Sequence, residues 1–166
     1  MRFALVVCLA ACSSAKKPDD ARPIPTQAEA AAVAPGAKVW LTGPEGEIPV
    51  TVEVVATRPK ITKGLMYREH LPVDAGMLFL MEAMEPKEID HAFWMQNTLI
   101  PLDMLFINKA MIVVGIVENA EPRTETLRRV GEPSFYVLEV NGGWTAKKRI
   151  ATGAKVRFEG VPGVSP

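Results

Sequence analysis

Tyr136-Val137-Leu138-Glu139-Val140-Asn141 steps in twos: Tyr136, Leu138 and Val140 share one phase, Glu139 and Asn141 the other. In an extended chain successive side chains leave opposite faces, so the segment reads as a β-strand. The period recurs elsewhere. Val50, Val52 and Val54 alternate with Thr51 and Glu53, and Val156 and Phe158 with Lys155 and Arg157. Met111–Val117 is an almost unbroken apolar run, which suits a strand covered on both faces. Lys38–Thr42, Met77–Leu80, Ala92–Met95 and Leu102–Ile107 complete the set, and Gly43-Pro44-Glu45-Gly46 reads as a tight turn between the first two strands. The pattern predicts a mostly β, sandwich- or barrel-like domain of about eight short strands with one or two short helices. One helix begins near Pro59, capped by Thr57 and burying Ile61 and Leu65. The other runs from Trp144 to Ile150 and stops at Gly153.

The chain has 166 residues, and composition divides it. Phe3–Ala11 is apolar but far too short to span a membrane as a helix. Leu9-Ala10-Ala11-Cys12 has the aliphatic–small–small–cysteine order of a bacterial lipobox, so residues 1–11 read as a lipoprotein signal peptide and Cys12 as the lipidated residue. Residues 12–36 are rich in Ala and Pro and hold too little large apolar surface to offset the entropy of ordering. They read as a flexible tether, about 27 Å long on average. Ala37–Gly160 is the expected single domain, and residues 161–166 a disordered tail. Both cysteines, Cys8 and Cys12, precede the domain, which therefore has no disulfide and no thiol chemistry. The expected location is the cell envelope, on the periplasmic side of the outer membrane rather than the inner membrane. The membrane is then a partner through the lipid at Cys12.

Four blocks stand out within the domain: GLMYR (64–68), GMLFLM (76–81), FWMQNTLIPLDMLFI (93–107) and VLEVNGGW (137–144). Together they resemble the bacterial and archaeal family named Domain of Unknown Function 192, over roughly Val50 to Phe158. The resemblance implies a compact, mostly β domain with one or two short helices. It implies no reaction, and it marks shared polar positions without giving them roles.

Several chemistries are disfavoured. Residues 37–160 carry 15 Lys/Arg and 16 Asp/Glu, so no basic field exists to hold nucleic acid. No Gly-x-Ser-x-Gly elbow, His-Glu-x-x-His helix or phosphate-cradling glycine loop occurs. His70 and His91 lack metal-motif spacing, and no cofactor or metal is expected. The methionines of the domain read as core fillers, with Met81-x-x-Met84 a weak lead for a soft metal.

What remains is polar residues set inside apolar blocks: Arg68, Asn97, Asp103, Asn119, Glu139 and Asn141, with Trp94 beside them. A charge among apolar neighbours is costly unless paired, and Arg68 with Asp103 or Glu139 is the obvious fork. Two accounts compete for these residues. As scaffold, Asn97 and Asp103 cap turns around Pro101, Arg68 braces a loop, and Asn141 takes a left-handed conformation at Asn-Gly-Gly. As a site, they converge beside Trp94. A binding module would use Trp94 as an apolar or sugar-stacking wall, with Arg68, Asn97 and Asn141 orienting a small polar or saccharide-like ligand. An enzyme would use Asp103 and Glu139 as a carboxylate pair. A structural envelope protein would instead show an exposed apolar patch. A monomeric binding or accessory module is the expectation.

Overall fold

The computed structural model describes residues 36–164; the signal-peptide, Cys12 and tether expectations fall on positions outside them. Seven strands form one sheet: β1 (Lys38–Gly43), β2 (Gly46–Val55), β3 (Ala75–Leu80), β4 (Leu102–Ile107), β5 (Val113–Ala120), β6 (Tyr136–Asn141) and β7 (Val156–Glu159). Two helices, α1 (Arg58–Lys63) and α2 (Trp144–Lys148), and a 3-10 turn at Met81–Ala83 complete the elements among the described residues. The sheet order is β5-β4-β6-β3-β2-β1-β7. It curls, so the domain is mostly β in the form of a half-barrel. Backbone bonds from Val113 N–H to the Ala154 carbonyl (3.0 Å) and Val156 N–H to the Met111 carbonyl (2.9 Å) strap one edge towards the other.

β1 and β2 form a hairpin in which Gly43 opposes Gly46, with Pro44-Glu45 as the two-residue loop. β2 and β3 are parallel, which requires the crossover that α1 supplies. The first and last strands are neighbours, Lys38 opposite Glu159 and Leu41 opposite Val156. Ala92–Met95 is not a strand. Phe93 exchanges two backbone bonds with Arg128, but its partner segment is irregular and the pairing ends in a single bridge.

The sheet buries both faces. On one lie Val39, Leu41, Val50, Val52, Leu78, Leu105, Leu138 and Val140, covered by Trp144 of α2. On the other lie Val55, Met77, Phe79, Met104, Phe106 and Val137, covered by Ile61 of α1 with Leu65 and Met95 from the loops. Full burial of one such side chain stabilises the fold by roughly 1.5–3 kcal/mol. Val161 is also buried and Val164 packs against the first face, so the core continues past Gly160.

Both helices end differently from the sequence expectation. Thr57 is extended and makes no side-chain cap; only its carbonyl takes part, accepting the Ile61 N–H at 2.9 Å. α2 closes at Arg149, itself left-handed at φ 58°, so the helix stops well before Gly153.

A buried carboxyl beneath Trp94

Register across the sheet decides which polar residues can meet. Glu53 of β2 lies opposite Met77 of β3, which lies opposite Glu139 of β6, which lies opposite Met104 of β4. These four share the face covered by α1, on strands about 4.8 Å apart. Asp103 pairs with Val140 instead and leaves the other face. The expected carboxylate pair is thus divided by the sheet, because a one-residue offset in register exchanges faces.

Arg68 meets neither of its expected partners. Its guanidinium grips Glu53 bidentately, with Nη2–Oε2 at 2.6 Å and a second, shorter bond from Nη1 to Oε1. The loop after α1 descends over β2 and β3, so the first carboxylate within reach is on β2, two strands short of Glu139. Tyr67 fixes that descent: it holds φ 64°, uncommon for an aromatic residue, and donates its N–H to the Asn97 carbonyl at 2.8 Å. Asn97 is itself left-handed at φ 56°. The Arg68–Glu53 pair lines a shallow cavity of about 450 Å³ with Leu71, Pro72 and Asp74.

Asp103 is a fastening point, fully buried. Its Oδ1 accepts the N–H groups of Asn119 (2.7 Å) and Gly143 (2.9 Å); its Oδ2 accepts the Thr145 N–H (2.8 Å) and Oγ1–H (2.6 Å). A carboxylate supplied by β4 therefore satisfies the free N–H groups at the start of α2, where no residue of the helix does so. Asn119 adopts φ 48° to present its N–H, and its Oδ1 lies 2.6 Å from where a Cβ on Gly142 would stand, which is why that position lacks a side chain. Asn141 donates from Nδ2 to the carbonyls of Leu71 (3.1 Å) and Pro72 (3.0 Å). Gly143, not Asn141, takes the left-handed turn.

Two of the seven expected site residues, Trp94 and Glu139, line one cavity. It has a volume of about 200 Å³, with Ile61, Lys63, Met66, Met81, Met84 and Phe93 also on its wall. Trp94 is 42% exposed and stands at the surface, whereas Glu139 is 4% exposed. Phe79, Phe93 and Phe106 stack edge-to-face at 5.2 and 5.9 Å and stiffen the wall. The Glu139 carboxyl takes part in no side-chain hydrogen bond among the described residues, although its oxygens are not sealed off as His91 Nε2 and Ser134 Oγ are, and burial pushes its pKa up from 4.5 to about 8. At neutral pH that shift favours the protonated acid over the carboxylate. His91 is buried nearby in sequence, its Nε2 without a partner and its pKa lowered first by burial; His70 is exposed. Among the described residues no group of three or more His, Cys, Asp or Glu is placed to hold a metal ion.

Sequence reasoning missed Glu53 as the partner of Arg68, and it missed Met66, Met81 and Met84 as cavity wall. The Met81-x-x-Met84 spacing was the available signal, since side chains three apart eclipse in a 3-10 turn.

A comparison with curated proteins finds no match. Among solved structures, a protein described as a "putative transcription regulator" from Sinorhizobium meliloti 1021 is similar: 34% identity, TM-score 0.69, 76% of this chain and 95% of that one. A protein of unknown function from Novosphingobium aromaticivorans DSM 12444 has 38% identity and a TM-score of 0.70, over 81% of this chain and 98% of its own. Residues 41–158 match the model of the DUF192 family, described as "Uncharacterized ACR", and the chain belongs to that family.

Proposed function

We propose that this chain is a small-ligand-binding module of the cell envelope, with Glu139 and Trp94 as the residues that meet the ligand. The observation that carries the reading is the Glu139 carboxyl. A buried polar group ordinarily finds a partner within its own fold. This one opens instead on a cavity with an exposed tryptophan on its wall, an arrangement an outside molecule would complete. Arg68 and Asn141 are engaged with Glu53 and with backbone carbonyls, so the polar groups a sugar would need are turned elsewhere. The favoured ligand is mainly apolar with one polar group, rather than a saccharide. Glycosidase-like hydrolysis draws no support, because it needs both carboxyls about 5–9.5 Å apart in one cleft.

The envelope component rests on the sequence. Leu9-Ala10-Ala11-Cys12 supplies the lipid anchor, placing the module on the periplasmic side of the outer membrane as a monomer. The near-balanced charge of the domain favours no nucleic-acid partner.

The test is a fragment titration of the full chain carrying ¹³C-methyl methionine, read by NMR. Small apolar fragments with a single polar group should shift Met66, Met81 and Met84 and leave Met111, which packs on the opposite face, unmoved. If no fragment shifts those three methyls selectively, the binding reading fails.

A further inference from the structure

The geometry points to an organic ammonium ion with a small apolar body as the ligand of this cavity, held by the Glu139 carboxylate against Trp94 and Phe93. This rests on the binding-module reading and narrows it to one charge type.

The wall selects for a cation. Glu139 is its one acidic side chain, 4% exposed and without a partner among the described residues. A neutral ligand could take a single hydrogen bond from the protonated acid, whereas an ammonium brings a compensating charge and three donors. The other lining groups are electron-rich and polarisable: the rings of Trp94, Phe93 and Phe79, and the thioethers of Met66, Met81 and Met84. Met84 N–H donates to the Met81 carbonyl at 2.8 Å, closing the 3-10 turn that sets those two side chains on one side. Size agrees as well. A cavity of about 150 Å³ admits benzene, so about 200 Å³ admits a phenyl ring with a short amine tail.

The surrounding charges are mixed. Glu82, Glu85, Glu88 and Asp90, against Lys87, follow the cavity along the segment after β3 and favour approach of a cation from that side. α1 contributes Arg58, Lys60 and Lys63, of which Lys63 reaches the cavity and is exposed; Arg58 donates to the Met84 carbonyl at 3.0 Å. Arg68 and Glu53 neutralise each other two strands away, β3 and β4 contribute Met77 and Met104, and His91 is held towards its neutral form by burial. None of these cations offsets Glu139, on which burial is the one acting cause. Binding of the ammonium ion below pH 8 therefore releases the Glu139 proton to water and leaves an ion pair in the cavity.

The experiment titrates the full chain with phenethylammonium, with 2-phenylethanol as its neutral counterpart and with Ag⁺ as a soft monovalent metal, using the same methionine methyls. Phenethylammonium should bind on the order of 80-fold more tightly at pH 8.5 than at pH 6, the ratio of ionised Glu139 for an acid of pKa about 8. Glu139→Gln should remove that pH dependence, and an unchanged Met111 methyl resonance with cooperative urea unfolding shows that the variant folds. Trp94→Ala should weaken the cation several-fold and keep the pH dependence. Should 2-phenylethanol bind as tightly as phenethylammonium at pH 8.5, the cation assignment is overturned and the cavity reading survives. Methyl shifts with Ag⁺ but not with phenethylammonium overturn it in favour of a metal. If no probe binds, both readings fall.

Discussion

Glu139→Gln should make the domain more stable at neutral pH, by an amount that grows with pH. The folded carboxyl titrates at about 8 against 4.5 for an exposed one, a difference of about 3.5 units caused by burial. Below pH 4.5 both folded and unfolded chains hold the proton, and the residue costs nothing through ionisation. Between pH 4.5 and about 8 the unfolded chain has lost the proton while the folded chain keeps it, so stability falls by about 1.4 kcal/mol per pH unit. Above pH 8 both states are ionised and the loss levels off near 5 kcal/mol. The amide introduced by the substitution has a similar shape and a comparable neutral desolvation, so comparing parent with variant isolates the ionisation. Urea unfolding at pH 4.5, 7 and 9 should give differences of about 0, 3 and 5 kcal/mol in favour of the variant. A difference that stays constant across those pH values would show that Glu139 has a partner or is fully hydrated in the folded chain, and the account of the cavity would be wrong.

Arg68→Ala leaves Glu53 buried and unpaired; with the Arg68 side chain 23% exposed, the loss should be about 2–3 kcal/mol by chemical denaturation. Combining it with Glu53→Gln should recover part of that loss, and strict additivity in the double-mutant cycle would refute the pairing. Asp103→Ala orphans the N–H groups of Asn119, Gly143 and Thr145 together and should cost about 3–5 kcal/mol, with α2 the first element to lose amide-exchange protection. A variant unfolding at the parent's urea midpoint would contradict that role. Cys12→Ser should leave the membrane fraction and lose acyl label, and persistence of either would overturn the proposed lipid anchor.

Seven of the eight expected strands were legible because their cause is local; Ala92–Met95 was the exception. The alternation of Tyr136–Asn141 and the Gly43–Gly46 turn each depend on a few consecutive residues, and they stand where the sequence puts them. The polar set was not, because its cause is register. Nothing near Asp103 shows that its neighbour across the sheet is Val140 rather than Glu139, yet that offset sends the two carboxyls to opposite faces. Glu53 lies in the polar phase of an alternating strand, but β2 is covered on both sides, so this residue is buried and takes Arg68. Trp94 and Glu139 come from segments 45 residues apart, brought together by the loop that Phe93 ties to Arg128. The ends of α2 are likewise tertiary: its beginning is fastened by Asp103, and its end by the conformation of Arg149, a residue type that carries no turn signal.

The adjacency of β1 and β7 bears on how the chain is made. Trp40 donates its indole N–H to Glu159 at 2.8 Å and lies 4.9 Å from the Arg157 guanidinium, so β1 is shielded by residues far downstream of it. On the ribosome this edge of β1 stays unpaired until β7 has emerged, and closing so distant a contact is slow. A chain of this fold that lacks β7 presents the bare β1 edge to its neighbours, as any chain truncated before Val156 would.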